Sequence, residues 1–346
     1  MLDYLEDQPS AVINGAAGTG KTMLAIEKAR RHAAHGEKVL FLCYNSRLKE
    51  YLSSTHASEY VDYFTIDGLA CKLCNTAQPD HEALKYKLES MYGENIFKYR
   101  HVIIDEGQDF GQERIEDTNI IKLLEQLVMD DEQNRGTFYI FYDRNQMIQS
   151  FKTPSYISEA DCRLTLYRNC RNTKNIASTS VKILPFEVKL KLADGCVNGD
   201  QPGICFPISA DDCWRKLEER VEIYKKMHAE SIVVLTCKTE ETSILSNHNK
   251  GGFFSISRDK ILFTTCRKFK GLEADAIIMI DVDEQLWNEY NSQLFYVGAS
   301  RARFYLNIFC SMTKEACEAL IDSKRIPTRS KNPYRSFALA LNAVDI

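Results

Sequence analysis

The sequence lacks the features that would place it in a membrane or mark it for secretion. No apolar run approaches the roughly 20 residues that a bilayer-spanning helix needs. The N-terminal segment Met1–Asp7 is acidic, whereas a secretory signal begins with basic residues. Internal repeats and low-complexity tracts are also absent, which argues against a solenoid. We therefore expect a compact cytoplasmic protein with no membrane partner.

An excess of positive charge is lacking too. The chain has 44 Lys and Arg against 48 Asp and Glu, a net charge of −4 and a pI near 6.0. Any contact with nucleic acid would need a local basic stripe. The 12 cysteines are scattered, and several lie in apolar runs, which favours reduced thiols. Cys71 and Cys74 have zinc-knuckle spacing but no second pair, so helix packing is favoured over metal binding.

The hydrophobic pattern predicts an α/β fold. With 346 residues, 44% of them hydrophobic, the chain can bury two cores of ordinary domain size. Short β-branched and aromatic runs are predicted as buried strands: Ala11–Asn14, Lys38–Cys43, Val61–Ile66, His101–Asp105, Thr137–Tyr142, Ser231–Thr236, Lys260–Thr265, Ala276–Asp281 and Tyr305–Cys310. Helical periodicity marks three intervening segments: Met23–Ala34, Glu82–Met91 and Ile120–Met129. This alternation predicts parallel sheets covered by helices.

A less regular region follows Tyr142 and extends to Ser231. It contains Pro154, Pro185 and Pro202, which interrupt regular structure. We place the domain boundary near residue 160, with one domain at 1–160 and a second at 161–346.

A phosphate-binding loop is predicted at Gly15–Thr22, between a strand and a helical run. Its glycines allow backbone amides to curl around a phosphate, and the helix N-terminus adds partial positive charge. Lys21 would reach the terminal phosphates, and the Thr22 hydroxyl would hold Mg²⁺. The candidate nucleotide-binding residues of the loop are Gly15, Ala17, Gly18, Thr19, Gly20, Lys21 and Thr22.

A cluster of carboxylates follows the predicted strand His101–Asp105. The carboxyl ends of strands in a doubly wound sheet share one edge, so Asp105 should face the phosphate loop. Asp105 could hold Mg²⁺, and Glu106 could orient or deprotonate an attacking water. Taken alone, these carboxylates fit an exposed acidic helix start equally well, because carboxylates favour helix N-termini, but beside the phosphate loop the Mg²⁺ and water site is favoured.

The segment Asp105–Asp109, Asp-Glu-x-Gln-Asp, resembles the ATPase core of superfamily 1 helicases of the UvrD/Rep type. Tyr142–Gln146 resembles the third motif of that family, in which Asp143 and Gln146 would sense the Mg²⁺-bound phosphate. Phe151 matches an aromatic on which the family stacks a nucleic-acid base, although a core aromatic is an equal alternative. Tyr44 is a further candidate contact for nucleic acid.

Three later segments continue the resemblance. Asn169–Thr173 resembles the fourth motif, which makes Arg171 a γ-phosphate ligand. Thr265–Glu273 resembles the fifth, which implies that Arg267 and Lys270 lie near nucleic acid and Glu273 near the ribose. Tyr296–Arg303 resembles the sixth, which makes Arg301 a second arginine finger. These roles follow from the resemblance.

The resemblance implies a P-loop NTPase built from two tandem RecA-like domains, with ATP and Mg²⁺ in the cleft and single-stranded DNA across both domains. It also implies ATP hydrolysis coupled to translocation or to 3′-to-5′ helicase activity. The intervals from Gly68 to Val102 and from Arg171 to Thr265 are too short for the family's large accessory insertions. Only 14 residues precede Gly15, which suggests a natural context with another domain or a partner nuclease.

Two other functions compete with a DNA motor. A nucleotide-sensing ATPase could use the same motifs to regulate a partner nuclease, as in bacterial defence. DNA-stimulated hydrolysis would favour the motor, and nucleotide-dependent association with a partner would favour the regulator. A small-molecule kinase is disfavoured, because it would have no use for two distal arginine motifs.

Overall fold

The computed structural model describes residues 2–111, 115–130, 135–146, 154–288, 291–327 and 330–346. The chain divides into two compact units, Met1–Tyr167 and Arg168–Ile346. Both units are built on sheets of mainly parallel strands with helical connections, so the fold is α/β, as the sequence predicts. Within the described ranges, no helix is both long and apolar enough to cross a membrane.

The first unit contains a sheet of six parallel strands in the order β3-β2-β4-β5-β1-β6. The strands are β1 Ser10–Gly15, β2 Val39–Leu42, β3 Val61–Phe64, β4 His101–Ile104, β5 Thr137–Tyr142 and β6 Arg163–Leu166. Every residue of β2 and β4 is buried, because helices cover both faces of the central strands. Such strands appear in the sequence as continuous apolar runs.

Helices connect these strands, as parallel pairing requires. They are α1 Lys21–Ala34, α2 Ser46–Thr55, α3 Ile66–Cys74, α4 His81–Glu94, α5 Ile115–Met129 and α6 Ser155–Ser158, with short 3-10 turns at Leu2–Leu5, Gly107–Asp109 and Arg144–Gln146. Asn45, Thr65 and Asp80 begin α2, α3 and α4 by accepting a backbone N–H bond with their side chains.

The second unit contains a seven-stranded sheet in the order β11-β12-β10-β13-β14-β9-β15, and a separate pair β7-β8. The strands are β7 Arg168–Asn169, β8 Lys191–Leu192, β9 Gly203–Cys205, β10 Ile232–Thr236, β11 Phe253–Ile256, β12 Asp259–Thr265, β13 Ala274–Val282, β14 Ala302–Cys310 and β15 Val344–Asp345. The pair β11-β12 is antiparallel, and the other pairs of the large sheet are parallel. All of β13 is buried, which makes it the centre of this core.

The helices of the second unit are α7 Lys174–Val181, α8 Ala210–Lys226, α9 Ser292–Ala299, α10 Lys314–Ser323 and α11 Pro333–Ala340, with 3-10 turns at Ser246–His248 and Glu284–Trp287. Helix α8 packs its apolar face, which includes Leu217 and Val221, into a core shared with Phe254 and Phe263. Polar residues cover the opposite face of α8, as expected for an amphipathic helix at the surface.

The structure confirms all the predicted strand runs and the three predicted helices, with ends shifted by a few residues. Strand β6 pairs with β1, so the sheet of the first unit continues past residue 160. The functional domain limits 1–160 and 161–346 stay a prediction.

Candidate nucleotide site

The phosphate-binding loop joins β1 to α1, as its sequence predicts. Gly18 and Gly20 have φ of 76° and 85°, a region that glycine occupies without the strain a Cβ would bring. Gly20 is also the N-cap of α1 and offers no side-chain oxygen to the first turn. The amide groups of that turn therefore remain available for an anion, and the helix dipole favours negative charge there.

The loop is held by bonds among its own residues. Thr19 Oγ1 donates to the Ala16 carbonyl at 2.8 Å, and Lys21 Nζ donates to the Gly15 and Ala16 carbonyls at 2.7 and 3.2 Å. A Cβ at Gly15 would lie 2.4 Å from Thr19 Oγ1, so any larger residue there would displace this hydroxyl and disturb its bond to the Ala16 carbonyl. The cradle is thus preformed, with Lys21 across it.

Asp105 lies against this loop. Thr22 Oγ1 donates to Asp105 Oδ2 at 2.6 Å, which joins the first turn of α1 to the end of β4. Burial, followed by the neighbouring carboxylate of Glu106, raises the pKa of Asp105 to about 6. Two adjacent buried carboxyls beside a hydroxyl form a hard oxygen donor set that suits Mg²⁺. Thr22 and Asp105 could therefore hold the ion.

Glu106 is turned towards the same edge of the sheet by an unusual backbone. Its φ of 56° places it in the left-handed region, which few residues with a Cβ occupy. The side chain is buried, and Gln108 Nε2 donates to Glu106 Oε2 at 2.6 Å. Glu106 is thus held in one orientation, as a general base must be.

Gln108 also connects the acidic segment to the following strand. Its Oε1 accepts the backbone N–H of Asp143 at 2.9 Å. Asp143 in turn accepts from Gln146 Nε2 at 2.8 Å and lies 3.7 Å from Lys21 Nζ. The structure therefore brings together Lys21, Asp143 and Gln146, which the sequence placed in separate motifs. Gln108 belongs to the segment Asp105–Asp109, but the sequence indicates no role for it. Its buried amide, which bonds to Glu106 and to the backbone of Asp143, reveals that role in the structure.

Replacing Gln108 with Ala should lower kcat for nucleotide hydrolysis by about 10-fold or more. The change removes a hydrogen bond to a charged group, which contributes about 1.5–3 kcal/mol. Nucleotide Kd should change little, because Gln108 makes none of the loop contacts. Steady-state hydrolysis and binding of a fluorescent nucleotide would measure both quantities. Gln126→Ala, on the exposed face of α5, is the matched control, and equal kcat in the two variants would contradict the role.

In the second unit, two predicted site residues form an ion pair. Arg171 Nε lies 2.5 Å from Glu273 Oε2, and Arg303 Nε lies 3.8 Å from the other oxygen of Glu273. Arg301 is buried, and its Nε donates to the Val297 carbonyl at 3.1 Å. The candidate arginines are therefore both held in place before any ligand is considered.

Asn172 connects the two arginine segments. Its Nδ2 donates to the carbonyls of Ser300 and Ala302, at 3.0 and 2.6 Å, on either side of Arg301. Asn169 Oδ1 accepts the backbone N–H groups of both Arg171 and Asn172 at 3.0 Å. These amide side chains fix the spacing of Arg171 and Arg301, a role that the sequence did not reveal.

The candidate nucleic-acid residues differ in their exposure to solvent. Tyr44 is half-buried and packs edge-on against Phe110, with ring centroids 5.9 Å apart. Lys270 is buried with 2% exposure, whereas Arg267 is exposed. Phe151 lies outside the described residues. Among the three candidates that the structure describes, Arg267 is the most accessible to a polyanion.

Two family models match the chain in the positions where this geometry lies. Residues 3–152, which include the phosphate loop and the acidic segment, match the model described as AAA domain. Residues 260–309, which include Arg267, Glu273 and Arg301, match the UvrD-like helicase C-terminal domain. The first match and the loop geometry define a nucleotide-binding P-loop protein. Together, the two matches support a UvrD/Rep-like superfamily 1 helicase core.

Solved structures of viral helicases are also similar. A structure of PRRSV helicase matches at 11% identity and a TM-score of 0.46, over 87% of this chain and 52% of that one. A complex of arterivirus nonstructural protein 10, a helicase, with DNA matches at 11% identity and a TM-score of 0.44, over 97% of this chain and 64% of that one. This chain thus spans about half to two thirds of their lengths. No curated protein matches it significantly.

Proposed function

We propose that this protein is an ATP-hydrolysing motor that translocates on single-stranded DNA in the 3′-to-5′ direction. The observation that carries the proposal is the Thr22–Asp105 hydrogen bond of 2.6 Å. It brings the phosphate loop, the acidic segment and, through Gln108, the segment of Asp143 and Gln146 to a single edge of the sheet.

The arrangement supports in-line attack of water on the terminal phosphate of ATP. Lys21 and the amides of the loop bind the phosphates, and Glu106 accepts a proton from the attacking water. Mg²⁺ would be held by Thr22 and Asp105 and would neutralise charge on the phosphate oxygens. Asp143 contacts both Gln146 and Lys21. A phosphate bound by Lys21 would therefore affect the position of Asp143 and, through it, that of Gln146. The products are ADP and inorganic phosphate.

The proposed action on DNA depends on the family and on exposed positive charge. The matched C-terminal segment contains Arg267, which is exposed, and Lys268, which is exposed and 3.1 Å from Glu240. A cation in this position can contact the phosphate backbone without reading sequence. The direction of movement follows from the resemblance alone.

Single-stranded DNA should stimulate steady-state ATP hydrolysis, and higher salt should reduce that stimulation. The reason is that phosphate contacts release counterions, so binding weakens as salt rises. Hydrolysis is measured with and without DNA at two salt concentrations, with Glu106→Gln as the blank. Arg267→Ala should weaken the stimulation and leave the basal rate unchanged.

Two outcomes would overturn this proposal in different ways. Basal hydrolysis that DNA does not change would contradict the motor and leave an ATPase. Hydrolysis that begins only when a partner protein is added would favour a nucleotide-dependent regulator of that partner, such as a nuclease.

A further inference from the structure

Two histidines and a glutamate meet at a place that the proposed reaction does not use. His32 Nδ1 and His101 Nε2 lie 3.3 and 2.8 Å from the same atom, Glu37 Oε2. The two imidazole rings are stacked, with centroids 3.5 Å apart and planes at 17°. On the other side of the rings, Thr137 Oγ1 lies 3.2 Å from His32 Nε2 and 3.0 Å from His101 Nδ1.

This cluster lies at the edge of the first sheet opposite to the nucleotide site. His101 and Thr137 are the first residues of β4 and β5, and His32 is in the last turn of α1. Asp105 follows the other end of β4, about 13 Å away by strand rise. Thr22 is at the other end of α1, about 15 Å away by helix rise. The cluster therefore connects the far ends of the two elements that carry the proposed Mg²⁺ ligands.

With both rings neutral, the hydrogen atoms available do not satisfy these four contacts, and an additional cation, either a proton or a metal ion, is needed. A neutral imidazole has one N–H and one bare nitrogen. If both rings donate to the ionised Glu37, both bare nitrogens face Thr137, whose hydroxyl has one hydrogen to donate. One ring nitrogen then faces an oxygen lone pair. Every other arrangement of two neutral rings directs a bare nitrogen at the carboxylate, which is worse.

We propose that His32, Glu37 and His101 form a binding site for a divalent transition-metal ion of the Zn²⁺ type. An ion on His32 Nδ1, His101 Nε2 and Glu37 Oε2 leaves a hydrogen on each of the other two ring nitrogens. Thr137 Oγ1 has two lone pairs and can accept both. All four contacts are then satisfied, and Thr137 orients both ligands as the outer partners of metal-bound histidines do.

The distances suit such an ion. Tetrahedral ligands at about 2.0–2.1 Å from Zn²⁺ lie about 3.4 Å from one another. The ligand atoms of His32, Glu37 and His101 all lie within 4.8 Å of one another. Since an ion must lie near the plane of each ring, the stacked rings would have to fan apart on binding. The side chain of Glu37 is 25% exposed, which opens the site to solvent.

The surroundings select the class of metal and limit its affinity. Imidazole nitrogens favour Zn²⁺, Co²⁺ or Ni²⁺ over Mg²⁺ and Ca²⁺, which prefer all-oxygen sites. Arg100 Nη1 lies 3.1 Å from Glu37 Oε1, so it holds the oxygen that the ion does not need. Arg100 and Lys28 also place positive charge near the rings, which weakens cation binding. We expect a weaker site than the all-cysteine sites of structural zinc.

Titration of the full-length chain with Co²⁺ alone is the first test. Binding of one equivalent with visible d–d absorption, but without the charge-transfer band of thiolate ligands, is expected. Zn²⁺ should displace the Co²⁺. The Cys71→Ser/Cys74→Ser variant should bind as the wild type does, which excludes that cysteine pair as the source of the signal. His35→Gln is the matched control, because His35 is exposed and belongs to the same stretch of chain but not to the cluster.

Glu37→Gln and His101→Gln should each weaken Co²⁺ binding by about 10-fold or more. Thermal unfolding provides a second measurement, since an ion that binds only the folded state raises Tm. Zn²⁺ should raise Tm in the wild type and in His35→Gln, but not in Glu37→Gln. Absence of Co²⁺ binding in the wild type would overturn the proposal. Co²⁺ binding that is unchanged in both Glu37→Gln and His101→Gln would also overturn it. So would Co²⁺ binding that is lost in the Cys71→Ser/Cys74→Ser variant.

Discussion

Replacing Arg171 with Ala is expected to lower kcat for ATP hydrolysis by about 10³-fold or more, and Arg301→Ala should have an effect of the same size. Arginine fingers contribute this much because they stabilise charge that develops on the transferred phosphoryl group. A finger acts in the transition state, so nucleotide Kd should change far less than kcat. Steady-state kinetics and equilibrium binding of a fluorescent nucleotide would separate the two quantities.

Controls for this experiment follow from the environments of the two arginines. Arg168 lies three residues before Arg171, on the short strand β7, and its side chain is 64% exposed, so Arg168→Ala should leave kcat unchanged. Arg301 is buried, so its variants require a check of Tm before kinetics are interpreted. Arg171→Lys retains the charge but loses the planar fork, and should restore only part of the rate. Near-normal kcat in a folded Arg171→Ala protein would remove its assigned role.

Lys21→Ala and Glu106→Gln are expected to fail at different steps. Lys21 lies across the preformed loop, and its loss removes a buried cation from the phosphate site, which should weaken nucleotide binding by about 10²-fold or more. Glu106→Gln keeps the shape of the side chain but removes the proposed general base. It should bind nucleotide nearly as the wild type does and reduce hydrolysis by about 10²–10⁴-fold.

Equilibrium binding of the fluorescent nucleotide, followed by single-turnover hydrolysis at saturation, would distinguish these two defects. Lys28→Ala, in the middle of α1, controls for loss of a lysine from the same helix. If both site variants lose binding equally, Glu106 is part of the binding surface and not the base. If Lys21→Ala binds normally, the loop does not hold the phosphates as proposed.

Much of this fold could be predicted because its central strands are buried on both faces. Strands β2 and β4 are uninterrupted apolar runs, and such a run bounded by polar residues indicates a buried strand. Strand β6 escaped prediction because it lies at a sheet edge and alternates exposed with half-buried residues. Strand β11 also escaped prediction. It joins β12 through Ser257 and Arg258, which both have positive φ, whereas the usual sequence signal for such a hairpin is asparagine or glycine.

The sequence predicted those site residues whose geometry is set by neighbouring residues in the chain. The phosphate loop is contiguous, so its spacing alone indicates its geometry. Asn172 bonds to two carbonyls that lie 128 and 130 positions further along the chain, and Gln108 bonds to a backbone N–H that lies 35 positions further. These bonds depend on tertiary packing. The burial of Lys270 is a tertiary property of the same kind, since its motif suggests a solvent-facing cation. The sequence therefore indicates which residues matter more readily than it indicates what holds them.

The left-handed backbone conformation of Glu106 lowers the stability of the fold but orients a side chain of the candidate site. A side chain in the left-handed region raises the free energy of the folded state by about 1 kcal/mol, and glycine would avoid that strain. The same conformation directs the carboxylate into the site and towards Gln108. Selection of this chain for thermal stability alone would therefore act against the residue that we propose as the general base, and we expect thermal stability and turnover to oppose each other at this position.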